Sequence, residues 1–460
     1  MKPMKRIFLS PILSRALTVL GICLAVVFAA CTRTAAPAHA EWTYDAVLYE
    51  MNVRQFTPEG TFAAAEERLQ QLRELGVDIV WLMPIHPIGE KGRKGSLGSY
   101  YAIRDYRDIN PEFGTMADFD RFLARAHEQG LRVILDHVGN HTSPDAAWVE
   151  GQPAEWYVRD STGAPAVQYD WTDIAKLNYA TPGVREAMFE VLKFWIDKGV
   201  DGFRCDVAME VPHDFWADAF ARLRTIRPDL FFLAEAEGPQ FHADGFDATY
   251  GWDLHHALND IAQGKKSAAD LRELLARYAE EYPASAFRMM FTSNHDENSW
   301  NGTEFERMGD AAAALAALTY VLPQSLPLIY TGQEIGYDHR FAFFEKDPMP
   351  AWEPNEWTAF YAKLNALRHA HPALASGEAG GAMSYMGGAV ADVMAFTRTL
   401  GDDRVVCLFN LSGVSQPVIP TVEIGGDYTD ALAGTPRTIV PGEEFALGPW
   451  EYAVLVERAI

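Results

Sequence analysis

The chain has 460 residues, 48% of them apolar, and a formal net charge of −24. Because single hydrophobic cores stop growing at roughly 250–300 residues, this length accommodates one large domain and a smaller one. The acidic surface would repel phosphate backbones, which argues against nucleic acid as a partner and suits a neutral substrate.

The first 40 residues resemble an export leader. A basic segment precedes an apolar run over residues 16–30, which is shorter than the roughly 20 residues that a bilayer-spanning helix needs. The run ends in Phe28-Ala-Ala-Cys31, which resembles a bacterial lipoprotein box with Cys31 as the lipidated residue. Ala38-His39-Ala40 is an alternative cleavage site for ordinary release. We therefore predict export, either to the cell envelope with membrane anchoring through a lipidated Cys31 or as a secreted protein.

Strand-like and helix-like segments then alternate over about 330 residues. The predicted strands are 47–53, 79–83, 131–135, 202–207, 230–234, 246–252, 287–293 and 326–331; the predicted helices are 61–75, 115–129, 182–198, 214–226, 309–321 and 355–369. Eight strands alternating with helices predict a parallel (β/α)₈ TIM barrel. A doubly wound open sheet is the alternative, and the lack of a glycine-rich nucleotide fingerprint after the first strand argues against it.

Two segments depart from this alternation. Residues 137–178 are irregular and predict a short excursion domain after the third strand, inside a catalytic barrel spanning 41–371. From residue 372 to 460, short apolar runs separated by turn-forming residues predict a C-terminal antiparallel β-sandwich. Outside the leader, Cys205 and Cys407 lie in distant apolar runs and are predicted to be buried free thiols.

Polar residues follow several predicted strands at the end where barrel enzymes carry their active sites. The third strand leads into Asp136-His-Val-Gly-Asn-His141, the fourth into Gly202-Phe-Arg-Cys-Asp206, the fifth into Glu235, and the seventh into Asn294-His295-Asp296. One such residue is usually a helix cap. Several carboxylates at one barrel end are costly to bury unless they are paired or functional.

Asp206 and Glu235 would end adjacent strands, which lie only about 4.8 Å apart. Retaining glycosidases hold their two carboxyl groups about 5–5.5 Å apart, so this placement favours retaining cleavage of a glycosidic bond. Arg204 projects to the same strand face as Asp206 and would keep it ionised. Glu235 follows an apolar run, and desolvation should raise its pKa, as a general acid requires.

These residues are similar to the motifs of the α-amylase family, glycoside hydrolase family thirteen, over roughly residues 45–460. The matching segments are 136–141, 202–206, Glu235 and 291–296, together with Ser99–Tyr106 and Asp173–Asn178. The resemblance implies that Asp206 is the nucleophile, Glu235 the general acid/base and Asp296 the residue that stabilises the transition state. It also implies that Tyr101 stacks on the sugar, that His141 and His295 bind its hydroxyl groups with support from Asp136, and that Gln333-Glu334 is a structural pair.

No cofactor is required by the chemistry that this resemblance implies, but many family members bind a structural calcium ion. Asn140 matches one calcium-ligand position. The segment Val207-Ala-Met-Glu210 replaces the Lys-His that supplies another ligand in many α-amylases, which puts the calcium site in doubt.

The expected activity is hydrolysis of α-1,4-glucosidic bonds in starch, glycogen or maltooligosaccharides. An α-glucosidase, a neopullulanase-like enzyme or a glucanotransferase would use the same residues. A non-catalytic glucan-binding surface protein is an alternative of a different class, and the presence of Asp206, Glu235 and Asp296 argues against it. The short excursion domain predicts an open cleft that admits polymers.

Overall fold

The computed structural model describes residues 39–386, 390–421 and 424–457. Cys31, the predicted lipidation site, lies outside the described residues, and of the alternative cleavage motif only His39 and Ala40 are described. Within the described ranges, no helix combines the length and the apolar composition that crossing a membrane requires.

Eight parallel strands close into a barrel, as the sequence predicts, which excludes the open doubly wound sheet. The first ten strands in chain order are β1 (Leu48–Met51), β2 (Ile79–Leu82), β3 (Arg132–His137), β4 (His141–Thr142), β5 (Ala175–Lys176), β6 (Gly202–Cys205), β7 (Phe231–Ala234), β8 (Ala248–Tyr250), β9 (Phe287–Met290) and β10 (Ser325–Tyr330). The barrel order is β1-β10-β9-β8-β7-β6-β3-β2.

Continuous apolar runs form these strands because each strand is covered on both faces. In β2, Ile79 and Trp81 belong to the core inside the barrel, whereas Val80 and Leu82 pack against the surrounding helices. Because all eight strands are parallel, the polar residues that follow them lie together at the carboxyl end of the barrel.

Helices surround the barrel at the predicted places, with two differences. The α-helices of the described residues are Val53–Phe56, Phe62–Glu66, Leu69–Leu75, Met116–Glu128, Ala147–Gly151, Pro182–Lys198, His213–Ile226, Gln240–Ala243, Trp252–Ala262, Ala268–Glu281, Glu304–Met308, Ala312–Val321 and Glu356–Ala370. The predicted helix 61–75 is divided into Phe62–Glu66 and Leu69–Leu75, with Glu67 and Arg68 between them. Two further helices, Trp252–Ala262 and Ala268–Glu281, join β8 to β9 where the sequence analysis placed none.

Single-turn helices occupy several loops. The 3₁₀ helices are Glu41–Thr43, Ala154–Trp156, Ala208–Glu210, Gly309–Ala311, Gln333–Ile335, Pro372–Leu374 and Gly377–Ala379, and a π-helix covers Glu297–Asn301. The last of these follows Asp296 directly and shapes the loop after β9.

The insertion after β3 is small, as predicted. Its only regular sheet within the described residues is the antiparallel pair β4 and β5, in which His141 lies opposite Lys176. This pairing fixes His141 at the carboxyl end of the barrel.

The C-terminal region is an antiparallel β structure, as predicted. Its strands are β11 (Ala382–Tyr385), β12 (Val393–Leu400), β13 (Asp403–Asn410), β14 (Gln416–Val418), β15 (Gly426–Asp430), β16 (Pro436–Ile439), β17 (Phe445–Leu447) and β18 (Tyr452–Glu457). Six strands form one sheet in the order β11-β12-β13-β18-β15-β16, and β14 pairs with β17. Arg398 of β12 donates from Nη1 to the carbonyl of Val321, 2.9 Å away, and so joins this sheet to the last helix before β10. Cys205 and Cys407 are buried and free, as predicted.

Candidate active site

The predicted site residues meet at the carboxyl end of the barrel, around a cavity of about 470 Å³. Six of them line this cavity: Tyr101, His141, Asp206, Glu235, His295 and Asp296. Asp136 and Arg204 lie beneath it and are buried. The structure therefore brings together every residue that the sequence analysis proposed for catalysis or sugar binding.

The end of β6 places Asp206 beside Glu235. The predicted strand 202–207 ends at Cys205, because Val207 adopts a φ of 36°, an unfavourable conformation for a β-branched residue. This turn directs the amide of Val207 at Glu235, and its N–H donates to Oε2 over 2.6 Å. The strand register, with Cys205 opposite Ala234, brings the next residues of both strands to the same level.

One guanidinium contacts three carboxylates under the cavity. Arg204 Nη1 donates to Oδ1 of Asp136 and to Oδ1 of Asp206, each at 2.9 Å, and Nη2 lies 2.9 Å from Oε2 of Glu235. Nε donates to the hydroxyl of Tyr250 over 3.2 Å. Buried ion pairs in such a network hold their side chains in fixed positions, so Arg204 sets the positions of both Asp206 and Glu235.

The carboxyl groups outnumber the cations in this cluster. Burial raises the pKa of Asp206 well above its usual range, and the charge of Glu235 raises it further against the opposing effect of Arg204. Burial likewise raises the pKa of Glu235, and Arg204 only partly offsets this. Because two neighbouring buried carboxylates cannot both ionise at low cost, sharing one proton would lower the electrostatic cost of the pair.

His295 carries the second positive charge of the site. Burial disfavours its charged form, but the carboxylates of Asp296 and Glu50 outweigh burial and raise its pKa to about 9. Its Nε2 lies 2.8 Å from the hydroxyl oxygen of Tyr101, which in turn donates to Asp136 over 3.1 Å. The ring of His295 is therefore linked to Arg204 through Tyr101 and Asp136.

His141 is a neutral donor. Burial lowers its pKa to about 3, and the side-chain amide of Asn140 donates to Nδ1 over 3.1 Å. Because Nδ1 accepts, the proton resides on Nε2, which can donate to a hydroxyl group in the cavity.

Asn140, the candidate calcium ligand, lies in the first part of the excursion domain. Its amide nitrogen donates to Oε1 of Gln168 over 2.7 Å and to Nδ1 of His141 over 3.1 Å. Lys176 brings an ammonium group to the same region and pairs with Glu210 at 3.0 Å. Among the described residues, no group of three or more His, Cys, Asp or Glu side chains could hold a metal ion.

Several cavity residues were given no role of their own by the sequence analysis. These are Lys94, Ser99, Asp170, Trp171, Asp173, Ile174, Val207, Trp300, Phe343 and Phe344. Most lie in loops without periodicity, where only exposed aromatic residues such as Trp300, 53% exposed, could have indicated a sugar-contacting role. Glu50 was also missed, although a charged residue inside the apolar run of β1 is itself a signal.

Gln333 and Glu334 lie outside the cavity lining. The Gln333 amide donates to Thr292 and to Glu304, at 3.1 Å each, and Glu334 accepts from the backbone N–H of Gly332 at 2.8 Å. These contacts brace the loop after β10, in agreement with the expected structural role of the pair.

Comparison with known proteins identifies the family. The model of the alpha-amylase catalytic domain matches residues 41–155 and 150–353. The alpha-amylase MalA of Haloarcula japonica is 32% identical over 412 residues, which is 86% of this chain and 59% of that protein. Neopullulanase 2 of Thermoactinomyces vulgaris is 29% identical, with 86% of this chain and 74% of that protein covered. This chain thus spans less than two thirds of the length of the Haloarcula relative.

Solved structures agree in both sequence and fold. An alpha-amylase from Lactobacillus plantarum superimposes with a TM-score of 0.80 at 32% identity, covering 91% of this chain and 100% of that one. The maltogenic alpha-amylase AmyB from Thermotoga neapolitana gives a TM-score of 0.83 at 28% identity, covering 90% and 99%. The chain belongs to the alpha-amylase family of α-glucan-active enzymes.

Proposed function

We propose that the protein is a retaining hydrolase of α-1,4-glucosidic bonds in starch, glycogen or maltooligosaccharides. The observation that carries this proposal is the placement of Asp206 and Glu235 side by side on one cavity wall, held by the same guanidinium. A pair that shares one proton supplies both groups that retaining cleavage needs, a nucleophile and an acid.

In the first step, the ionised Asp206 attacks the anomeric carbon while Glu235, holding the shared proton, protonates the leaving oxygen. A covalent glycosyl–Asp206 intermediate forms, and the shortened chain leaves with the proton. Glu235, now ionised, then removes a proton from water, which attacks the same carbon and releases Asp206. The assignment of the two roles follows the family resemblance, and the hydrogen bond from Arg204 to the Asp206 carboxylate favours the ionised form that a nucleophile needs.

Sugar binding is assigned to the groups around the pair. The imidazolium of His295 and the neutral Nε2–H of His141 donate to hydroxyl groups, and the ring of Tyr101 provides an apolar face for the sugar. Asp296 lies on the rim beside His295, with 3.3 Å between its Oδ2 and Nε2 of the ring. There it would accept hydroxyl hydrogen bonds that strengthen as positive charge develops on the sugar.

The product released from maltotetraose tests this function. The first-formed product should carry the α-anomer at its new reducing end, which proton NMR detects before mutarotation. Immediate release of the β-anomer would mean inversion and would contradict the role of Asp206 as a nucleophile. Parallel digests of starch and pullulan distinguish the α-amylase from a neopullulanase-like enzyme, and products longer than the substrate would indicate a glucanotransferase.

The proposal includes export with anchoring through a lipidated Cys31. The contacts of His39 support this over release after Ala40. His39 Nδ1 lies 2.7 Å from Oδ1 of Asp247, and Nε2 lies 2.8 Å from the carbonyl oxygen of Ser285. Its ring packs 4.3 Å from that of Phe287. Cleavage after Ala40 would remove a side chain that the barrel binds.

A further inference from the structure

A glycine-rich basic segment, residues 89–98 in the loop after β2, borders the active-site cavity. None of the motifs that define the catalytic site includes it. We call it the 89–98 segment. It contacts the excursion domain on one side of the cavity and the loop after β10 on the other.

On one side the 89–98 segment is attached to the excursion domain. Lys94 Nζ lies 3.3 Å from Oδ1 of Asp173 and donates to the carbonyl of Asp170 over 3.4 Å. The Asp173 side chain is only 5% exposed, so Lys94 is the cation beside a buried carboxylate. At Gly92, with φ of 76°, an added Cβ would lie 3.0 Å from the carbonyl oxygen of Thr172, so the two backbones pass in close contact.

On the other side the segment is attached to the loop after β10. The Ser96 N–H donates to Oε1 of Glu345 over 2.8 Å, and the Leu97 N–H donates to the carbonyl of Phe344 over 3.1 Å. At Gly95, with φ of 61°, an added Cβ would lie 2.5 Å from the Cβ of Phe344. The rim is therefore continuous from Asp173, through Lys94, to the aromatic residues of the last barrel loop.

The position of Glu235 shows which end of the substrate this rim faces. The acid must lie beside the leaving oxygen, and Glu235 follows β7, the fifth strand of the barrel. The 89–98 segment itself lies in the loop after β2 and contacts the loop after β10, and each of these strands is three strands away from β7 around the ring. The sugar units that stay bound to Asp206 therefore extend toward the rim, and the leaving portion extends away from it.

We propose that the 89–98 segment closes the non-reducing end of the substrate cleft and that the Lys94–Asp173 pair is a specificity-determining contact. The closed rim limits the number of sugar units on that side, so the enzyme cuts near non-reducing chain ends and releases short products. This inference rests on the proposed hydrolase function. It also narrows the expectation that the short excursion domain leaves an open cleft, because the 89–98 segment closes one end of it.

Two maltoheptaosides test the proposal, one with a free and one with a chemically blocked non-reducing end, both labelled at the reducing end. The wild-type protein should release short products from the non-reducing end of the free substrate. It should cleave the blocked one at least about tenfold more slowly, because the rim rejects the added group sterically. Equal rates on both substrates, or initial cuts spread along the chain, would overturn the inference while leaving the hydrolase function intact. No cleavage of the free substrate would instead contradict the proposed function itself.

Variants of the rim test whether the Lys94–Asp173 pair causes the slower cleavage of the blocked substrate. Lys94→Ala and Asp173→Asn should each raise the rate on the blocked substrate severalfold relative to the free one and lengthen the released products. Lys91→Ala is the matched control, because its side chain is exposed in the same segment and is expected to leave the ratio unchanged. Circular dichroism would show whether both rim variants are folded. If they are folded and keep the wild-type ratio of the rates on the blocked and free substrates, the pair does not determine specificity.

Discussion

Glu50 Oε1 lies 2.5 Å from Nδ1 of His295, and this contact joins the first barrel strand to the loop after the seventh. Both side chains are buried. The carboxylate stabilises the imidazolium, and the second ring nitrogen then acts as a donor toward Tyr101 and the cavity. Within the described chain, the side chain of Glu50 makes no hydrogen bond to another site residue, so we expect any effect of Glu50 on the substrate to pass through His295.

Replacing Glu50 with Gln should therefore change the pH dependence of the enzyme. The pKa of His295, about 9 in the wild type, would fall because one of the two carboxylates that raise it is lost. The protonated donor would then be lost at lower pH, and the alkaline limb of kcat/KM should move down by about one unit or more. Profiles of the variant and of Glu59→Gln, an exposed control, would show this. An unmoved alkaline limb in a folded Glu50→Gln protein would mean that His295 does not act as a cation.

The proposed roles of Asp206 and Glu235 can be distinguished by the choice of leaving group. Asp206→Asn and Glu235→Gln should each lower kcat on starch by at least about 10², because nucleophilic and acid catalysis each contribute at least that much. With α-maltosyl fluoride, whose fluoride leaves without protonation, Glu235→Gln should still release a burst of one fluoride per enzyme. Asp206→Asn should release none. A burst from Asp206→Asn would show that another residue forms the covalent bond.

The strand order and the catalytic carboxylates could be predicted because both follow from continuous sequence. Asp206 and Glu235 directly follow apolar runs, and a parallel barrel brings such ends together whatever the loops do. The contact between Glu50 and His295 joins residues 245 positions apart and depends on closure of the ring between β1 and β10. No local sequence pattern predicts this contact, although Glu50 is the one charged residue of β1.

The cavity rim was unpredictable for a different reason. Lys94, Asp173 and Phe344 lie in three separate loops, whose conformations depend on each other rather than on periodicity. The missed helix Ala268–Glu281, by contrast, carries Leu271, Leu275 and Tyr278 on one buried side, a pattern that does predict a helix.

Removing the shared cation should destabilise the protein in a pH-dependent way. Arg204→Met would leave Asp136, Asp206 and Glu235 buried without it, at a cost of about 3–5 kcal/mol in the free energy of unfolding near pH 7. Their pKa values, already raised in the folded state, would rise further, so the folded variant binds more protons than the unfolded chain. Its stability should therefore fall as the pH rises above the unfolded carboxyl pKa of about 4, and the variant should be more stable at pH 5 than at pH 8.

Urea denaturation followed by tryptophan fluorescence measures the free energy of unfolding of the Arg204→Met variant at pH 5 and at pH 8. Arg121→Met removes an exposed ion pair with Asp118 and should change the free energy of unfolding little. If Arg204→Met were no less stable than that control, or were more stable at pH 8, the three carboxylates would not depend on the guanidinium for their burial.

Chelation should leave the enzyme unchanged. Around Asn140 the excursion domain is held by hydrogen bonds and by the Lys176–Glu210 pair. We therefore expect the thermal midpoint and the activity to be the same after dialysis against EDTA as in added calcium, measured by differential scanning fluorimetry and starch hydrolysis. Lys176→Met should lower stability by at most about 1 kcal/mol, since the pair is partly exposed. A thermal midpoint that rises with added calcium would show a metal site that these side chains do not predict.

The contacts of His39 give a prediction for processing. Asp247 is buried and also bound by Arg224 at 2.9 Å, and His39→Ala would remove its other side-chain partner. We expect a loss of about 1–3 kcal/mol in the free energy of unfolding, the usual cost of an unpaired buried group, whereas the exposed control His213→Ala should change it little.

When the protein is expressed with its own leader in a bacterium, the mature chain should begin upstream of His39 and fractionate with membranes, and Cys31→Ser should release it. A mature amino terminus at Glu41, found by mass spectrometry in a stable protein, would show instead that the barrel does not need His39 and that release after Ala40 is the route of export.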